Sequence, residues 1–169
     1  MPNPPPAVHD VIAAVHERFG PVATSSFRDQ TRIVVSESQA FDVLEFLKHL
    51  TFDLLVDISC VDYLDYPDAQ HRFGLVYLLA STTTNERLTV RVFVDDPDPS
   101  VRSVVGIWSG ANWLEREVWD LFGVRFEGHP DLRRLVMPEE FTAHPLRKDY
   151  PLQGHGERHN FPVISRDHS

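Results

Sequence analysis

Three apolar segments in the middle of the chain, joined by short connectors, constrain the fold more than any other feature. They cover residues 53–62, 72–80 and 87–94, and each is rich in Val, Leu, Ile, Phe or Tyr, which favour strands. Their connectors contain Tyr66-Pro67-Asp68 and the polar run 81–85. Parallel neighbours need a crossover of a dozen or more residues, so these strands are predicted to pair antiparallel.

Helical periodicity flanks these strands. Residues 8–19 carry apolar side chains at helical spacing until Gly20-Pro21, which predicts an amphipathic first helix. Residues 32–35 are predicted to form a short strand, and Ser36 with Gln39 offers a capping box for a second helix that ends near residue 50. A short helix packed on the sheet is expected over residues 101–108.

A last helix is followed by a long segment without periodicity. Asn112 and Glu115 occupy capping-box positions at its start, and Gly123 lies just past its end. Closely spaced prolines then leave no room for another long element, while scattered apolar residues argue against disorder. We therefore expect an α+β fold: a single domain with a mainly antiparallel sheet flanked by helices over residues 1–122, followed by an extended irregular docking tail over residues 123–169.

Composition narrows the classes of function. A net charge of −9 and a pI near 5.4 argue against a nucleic-acid-binding protein. The single cysteine, Cys60, falls in an apolar strand pattern, where a buried small hydrophobe is expected, and one thiol cannot hold an iron–sulfur cluster or a disulfide framework. The sequence has no secretion signal pattern and no apolar run long enough to span a membrane, so we expect a soluble intracellular protein.

The run from Trp113 to Pro151 is unusually dense in charged residues, which indicates either a reaction site or a docking surface. Helical geometry places Glu115 on one flank of an apolar stripe and Glu117 and Asp120 on the other. Arg116 and Asp120 are four residues apart and could pair on the helix surface. This arrangement favours charged flanks of a docking helix over a catalytic carboxylate pair.

Histidines concentrate near the C-terminus and raise the possibility of a metal site. His155, Glu157 and His159 resemble a zinc-binding motif only superficially, because the Glu is one place late and the neighbouring glycines oppose a helix. His129 and His144 each precede a proline and are more plausibly turn residues that hydrogen-bond nearby backbone or a carboxylate. No metal site is predicted.

The basic residues of the same run are Arg133, Arg134, Arg147 and Lys148. An anion site for phosphate is possible, but no glycine-rich loop leads into a helix N-terminus. Counted from Glu115 to Asp149, six basic residues face eight acidic ones, so ion pairs within or across an interface are the better interpretation.

Four motifs resemble the signature of the thirty-kilodalton subunit family of respiratory complex I, the proton-translocating NADH:quinone oxidoreductase. They are Glu115–Val124, Gly128–Arg134, Met137–Glu140 and His144–Leu152, and Asp57–Tyr63 also resembles the family. Two departures are Ala143, where the family usually has Gly, and Phe141, where Trp or Tyr is common. The family-pattern residues, to which the resemblance assigns interface and structural roles, are Glu115, Arg116, Glu117, Asp120, His129, Arg133, Arg134, His144, Arg147, Lys148 and Asp149.

The resemblance implies a non-catalytic structural subunit of the hydrophilic arm of an enzyme complex that couples electron transfer from NADH to quinone with proton translocation. It implies no cofactor in this chain, with FMN, iron–sulfur clusters and quinone held by partner subunits. The expected partners are the quinone-site subunit and its cluster-bearing neighbour, at the cytoplasmic face of the bacterial membrane. The alternatives are the equivalent subunit of a membrane-bound hydrogenase or photosynthetic-type complex, and a stand-alone His/carboxylate metalloenzyme.

Overall fold

A computed structural model describes residues 7–28 and 30–156, and within them the chain forms three helices and seven strands. In chain order these are α1 (Val8–Phe19), β1 (Ala23–Phe27), β2 (Gln30–Val35), α2 (Glu37–Leu50), β3 (Leu54–Asp62), β4 (Phe73–Ala80), β5 (Arg87–Val94), β6 (Ser100–Arg102), α3 (Ala111–Phe122) and β7 (Arg125–Glu127). The predicted first helix and the third long strand have these bounds, and the other two long strands differ from prediction by one residue.

Strands β1 to β5 form one mixed sheet in the order β1-β2-β5-β4-β3. The pairs β1–β2, β3–β4 and β4–β5 are antiparallel, whereas β2 runs parallel to β5. Short connectors join β3 to β4 and β4 to β5, which is why those neighbours pair antiparallel. The expected α+β fold with a mainly antiparallel sheet is confirmed.

One face of the sheet packs against the helices. Alternate residues of β4, Phe73, Leu75, Tyr77 and Leu79, are almost completely buried, as are the alternate residues of β5 from Leu88 to Val94. Val11 and Val15 of α1, Val43, Leu44 and Leu47 of α2, and Ala111 and Val118 of α3 complete the same core. Cys60 lies in this core with 6% exposure, and burial raises the pKa of its thiol to about 12, which confirms the prediction of a buried hydrophobe.

The expected helix over residues 101–108 is wrong. The chain instead forms β6, which pairs in parallel with β7 as a separate two-stranded sheet, and then a turn in which the N–H groups of Ile107 and Trp108 donate to the carbonyl of Val104. β-branched valines in this segment suit a strand, and the partner strand lies more than twenty residues later, beyond the reach of local periodicity. Strand β7 is also a regular element in a tail expected to be mostly irregular.

Three further local expectations need correction. Strand β1 has no counterpart among the predicted strands, because its sequence Ala-Thr-Ser-Ser-Phe has no apolar alternation. Ser36 does occupy the N-cap of α2, but its side chain makes no capping hydrogen bond to the helix backbone. Helix α3 begins at Ala111 with Gly110 as its N-cap, so Asn112 and Glu115 form no capping box.

Helix α3 and the following segment complete the fold beside β3. The indole Nε1–H of Trp108 donates to the carbonyl of Asp53 over 3.1 Å, and Lys48 Nζ donates to the same oxygen over 2.9 Å. Both contacts tie the start of β3 to neighbouring elements.

Across residues 7–28 and 30–156, no helix has the length and apolar character needed to cross a membrane.

Candidate docking site built by α3 and the C-terminal segment

The carboxylate of Asp120 fixes the C-terminal segment, defined here as residues 128–152, onto α3. Its Oδ2 atom accepts backbone N–H groups from Leu135, Val136 and Met137 at 2.9, 2.7 and 2.9 Å, and its Oδ1 atom lies 2.6 Å from Arg134 Nη1. The side chain is completely buried. Burial opposes ionisation, but the three N–H groups and the guanidinium outweigh it and hold the pKa of Asp120 below its ordinary value.

Arg134 extends this contact to the next part of the segment. Its Nη2 donates to the carbonyl of Ala143 over 3.1 Å, and its guanidinium lies 5.7 Å from the ring centres of both Trp119 and Phe141. The charge is therefore held by a carboxylate, a carbonyl and two aromatic faces. A lysine could not make this set of contacts, because it lacks a planar fork of donors.

Arg116 and His129 hold the start of the segment. Arg116 donates from Nε and Nη2 to the carbonyls of Arg133 and Arg134, each over 3.1 Å. The Nδ1 atom of His129 accepts the N–H of Asp131 over 3.0 Å, which leaves the proton on Nε2 to bond the carbonyl of Asn112 over 3.1 Å. His129 thus bonds nearby backbone, as its His-Pro context predicted.

His144 closes the segment over the end of α3. Its Nδ1 atom lies 3.0 Å from the carbonyl of Asp120, and burial lowers the pKa of its imidazole, which favours the neutral ring that donates this bond. Gly123 ends α3 at φ +78°, and a Cβ on it would lie 2.6 Å from Cδ2 of His144. Glycine is required here both by the backbone conformation and by the close approach of the ring.

A second charged cluster anchors the far end of the segment to the sheet. Arg72 pairs with Asp62, Asp96 and Asp149, at 3.4 Å for Asp62 and 2.7 Å for Asp149. Arg147 donates from Nε to the carbonyl of Phe122 over 2.6 Å, which satisfies a carbonyl at the end of α3. Arg147 and Asp149 were predicted to be site residues, but Asp62, Arg72 and Asp96 were not. Asp62 ends β3, Arg72 precedes β4 and Asp96 follows β5, so the three become neighbours only in the folded sheet.

Glu115 is a buried carboxyl on the opposite side of α3. Its Oε1 atom accepts the N–H of Val104 and its Oε2 atom accepts the hydroxyl of Ser103, both over 2.7 Å. The side chain has 0% exposure, and among the described residues it forms no ion pair with a basic side chain. Burial is the main influence and raises the pKa of Glu115 to about 7.

Two of the three acids of α3 are therefore not on the charged surface that helical geometry predicted. Glu115 and Asp120 are fully buried and Arg116 is 7% exposed. Asp120 pairs with Arg134, and Arg116 bonds backbone carbonyls, so the expected surface pair between Arg116 and Asp120 is wrong. Glu115 and Asp120 do lie on opposite sides of α3, as helical geometry predicted.

Three of the family-pattern residues point away from this network. Glu117 and Lys148 are exposed, and the side chain of neither one forms a hydrogen bond or ion pair with another residue that the structure describes. Arg133 is 65% exposed at its side chain and pairs only with Asp131 within the described chain, over 2.9 Å. Trp113 lies one helical turn before Glu117 and is 60% exposed, with the guanidinium of Arg116 4.9 Å from its ring centre.

The described residues contain no group of three or more His, Cys, Asp or Glu side chains arranged to hold a metal ion. The sequence also offered a motif of His155, Glu157 and His159 that superficially resembles a zinc site. The ring of His155 packs edge-on against the ring of Tyr150, with 5.3 Å between the ring centres. Glu157 and His159 lie outside the described residues.

These features define a small α+β chain whose exposed surface is shaped by a tail tied to its own last helix. The family model for the thirty-kilodalton subunit of respiratory-chain NADH dehydrogenase matches residues 33–156. The chain belongs to this family and is therefore a subunit of NADH–quinone oxidoreductase.

Individual relatives agree with this assignment. In Geobacter sulfurreducens, a subunit of NADH-quinone oxidoreductase is 46% identical over 129 residues, which cover 76% of this chain and 78% of the relative. A solved trypsin-resistant fragment of Nqo5 superposes with a TM-score of 0.66 at 36% identity, covering 74% of this chain and 98% of the fragment. The fold is also shared with a chain of an archaeal membrane-bound sulfane sulfur reductase, with a TM-score of 0.76, 22% identity and 94% coverage of both chains.

Replacing Glu115 by Gln should remove a pH dependence of stability. The folded state holds a proton on Glu115 up to about pH 7, whereas the unfolded state releases it near its ordinary pKa of about 4.3. Glu115 therefore lowers the free energy of unfolding as pH rises through this window. E115Q can keep both hydrogen bonds, so urea denaturation should find it equal to the parent near about pH 4, below the unfolded-state pKa, and up to about 3 kcal/mol more stable near about pH 8. A difference between the two proteins that does not change with pH would contradict this.

Replacing Asp120 by Asn should detach the C-terminal segment. An amide cannot accept both from Arg134 and from three N–H groups, and it leaves a buried guanidinium without its counter-charge. Urea denaturation should show a loss of about 3 to 5 kcal/mol, and trypsin should cleave after Arg133 and Arg134 faster than in the parent. The matched control is E117Q on the exposed side of α3, where a change within about 0.5 kcal/mol is expected. Equal losses in the two variants would rule out the anchoring role of Asp120.

Proposed function

We propose that this chain is a non-catalytic assembly subunit of the hydrophilic arm, which packs through α3 and the C-terminal segment against the quinone-site subunit and, beside it, the neighbouring cluster-bearing subunit. In this proposal FMN, iron–sulfur clusters and quinone are held by partner subunits, and those subunits carry out electron transfer and proton translocation. The chain would lie at the cytoplasmic face of the bacterial membrane, attached through the complex.

The observation that carries this proposal is that two acidic side chains of the family motif point into the protein. Glu115 and Asp120 have no exposed surface, and their oxygens accept hydrogen bonds from their own chain. A general acid or base must reach a substrate atom within hydrogen-bonding distance. Side chains sealed in this way are suited to fixing a shape, which supports an assembly role for this part of the motif.

The surface that remains available lies on the outer side of α3. Trp113 and Glu117 are separated by one helical turn and therefore lie on the same face. Arg133 lies nearby, because its carbonyl accepts Arg116 Nε and Arg116 also stacks on Trp113. An exposed tryptophan with charged neighbours is the composition typical of the residues that dominate binding energy in protein interfaces.

The related complexes that remained open as alternatives are not favoured. The matched relatives are named as subunits of NADH-quinone or NADH-ubiquinone oxidoreductase. The likeness to the sulfane sulfur reductase chain, at 22% identity, is a likeness of fold. Electron donation by NADH is therefore the proposed activity of the parent complex.

Replacing Trp113 by Ala should weaken assembly without unfolding the chain. The ring is mostly exposed in the isolated chain, and its stacking on Arg116 contributes about 0.5 to 1 kcal/mol. If the ring is buried against the quinone-site subunit, its loss should reduce the affinity for that subunit at least about tenfold. The measurement is titration of the purified chain into complex from which it has been removed, with quinone reductase activity as a second readout.

The matched control is Tyr66→Ala. Tyr66 is an exposed aromatic residue, 66% exposed, in the connector between β3 and β4. The proposal expects Y66A to bind like the parent. Normal binding by W113A, or equal weakening by the two variants, would exclude α3 as the docking surface.

A further inference from the structure

Strand β1 is an open sheet edge at the opposite end of the sheet from α3. It pairs with β2, and within the described residues no other strand pairs with it. All five of its residues are exposed, so neither of its faces is covered. Four strand spacings of roughly 4.8 Å place it about 19 Å from β3.

This edge lacks the features that usually prevent strand addition. Exposed edges are commonly protected by charged residues, proline, bulges or a covering element, but Ala23–Phe27 contains neither charge nor proline and pairs with β2 without a register shift. The other edge strand, β3, has a register shift between Leu55 and Asp57 and is tied at both ends by side-chain contacts. The unprotected backbone of β1 is therefore available to another chain.

The sheet surface beside this edge is basic, although the whole chain carries a net charge of −9. Ser25 is opposite Arg32, and Val34 is opposite Arg91, so both arginines lie on the same face of the sheet, the one turned away from the helices. Arg28 and Arg32 both lie over the ring of Phe27, at 5.2 and 5.4 Å from its centre. None of the three arginines forms an ion pair with a carboxylate of the described residues.

We infer that β1 accepts an extended, acidic segment of a partner polypeptide as a sixth strand of the sheet. Backbone hydrogen bonds to β1 would supply affinity, since an added strand satisfies the open row of N–H and C=O groups. Carboxylates on the added strand would pair with Arg28 and Arg32, whose guanidinium groups lie over the ring of Phe27 at the end of β1. The chain would then contact its complex through two surfaces at opposite edges of one sheet.

Hydrogen exchange in the isolated chain and in the assembled complex tests this directly. The amides of residues 23–27 should exchange at least about tenfold more slowly in the complex than in the isolated chain. Equal exchange in the two states would overturn the inference. Slow exchange that appears in the isolated chain and grows with its concentration would also overturn it, because a second copy would then be the occupant.

Two arginine variants test the chemistry of the partner. The double variant R28A/R32A removes the basic groups beside β1, and R102A is the matched control because Arg102 also stacks on a phenylalanine ring, 3.6 Å from the centre of Phe41. In the assembled complex, R28A/R32A should lose most of the protection at residues 23–27, while R102A should keep it. Equal protection in the two would contradict an acidic partner.

The inference rests on membership of the complex and not on docking through α3. Slower exchange at residues 113–121 on assembly, with no change at 23–27, would leave the proposed function standing and overturn the inference. Slower exchange at residues 23–27, with no slowing at residues 113–121, would support the inference and contradict docking through α3.

Discussion

The position of the C-terminal segment, residues 128–152, depends on one buried carboxylate. Asp120 accepts three consecutive backbone N–H groups through a single oxygen and pairs with Arg134 through the other. Three successive N–H groups that converge on one point form a concave anion site of the kind found in backbone nests. Here the anion is a side chain of α3, so residues 135–137 are held on the helix without a ladder of backbone bonds.

Other charged side chains also bind backbone groups in and beside the C-terminal segment. Arg116, Arg134 and Arg147 each donate to backbone carbonyls that no regular structure would satisfy. The proline-rich C-terminal segment bonds its own backbone only in short turns, so other backbone polar groups must be met by side chains if they are to leave water. This explains why Arg116 and Asp120 are buried although they are charged. Trp113, Glu117 and Arg133 remain exposed and form the candidate docking surface.

The spacing of apolar residues was sufficient to predict the helices and strands that pack against the core on one side. The helix over residues 8–19 and the strands β3, β4 and β5 each present one apolar face, so the pattern of apolar residues predicts both the element and its orientation. It failed for β1, which is exposed on both faces, and for β6, whose partner is distant in sequence. Local patterns carry no information about either case.

The sequence predicted many of the residues that form the site but not how their side chains are arranged. A helical wheel assigns Glu115 and Asp120 to polar flanks because it cannot include a later segment that covers one flank, or residues 103–104 that cover the other. The family resemblance identified the residues without indicating which are internal. Arg72 and Asp96 carried no signal of their own, and Asp62 lies in the Asp57–Tyr63 motif but was not assigned to the site. Only the folded sheet brings these three residues to Arg147 and Asp149.

The anchoring of the C-terminal segment by Asp120 is tested most directly by amide hydrogen exchange at Leu135, Val136 and Met137 in the isolated chain. These amides lie outside helices and strands but donate to a buried carboxylate at 2.7 to 2.9 Å. They should be protected at least about a hundredfold relative to an unstructured peptide. Exchange at the rate of an unstructured peptide would show that the segment is not held on α3 and would contradict the anchoring role of Asp120.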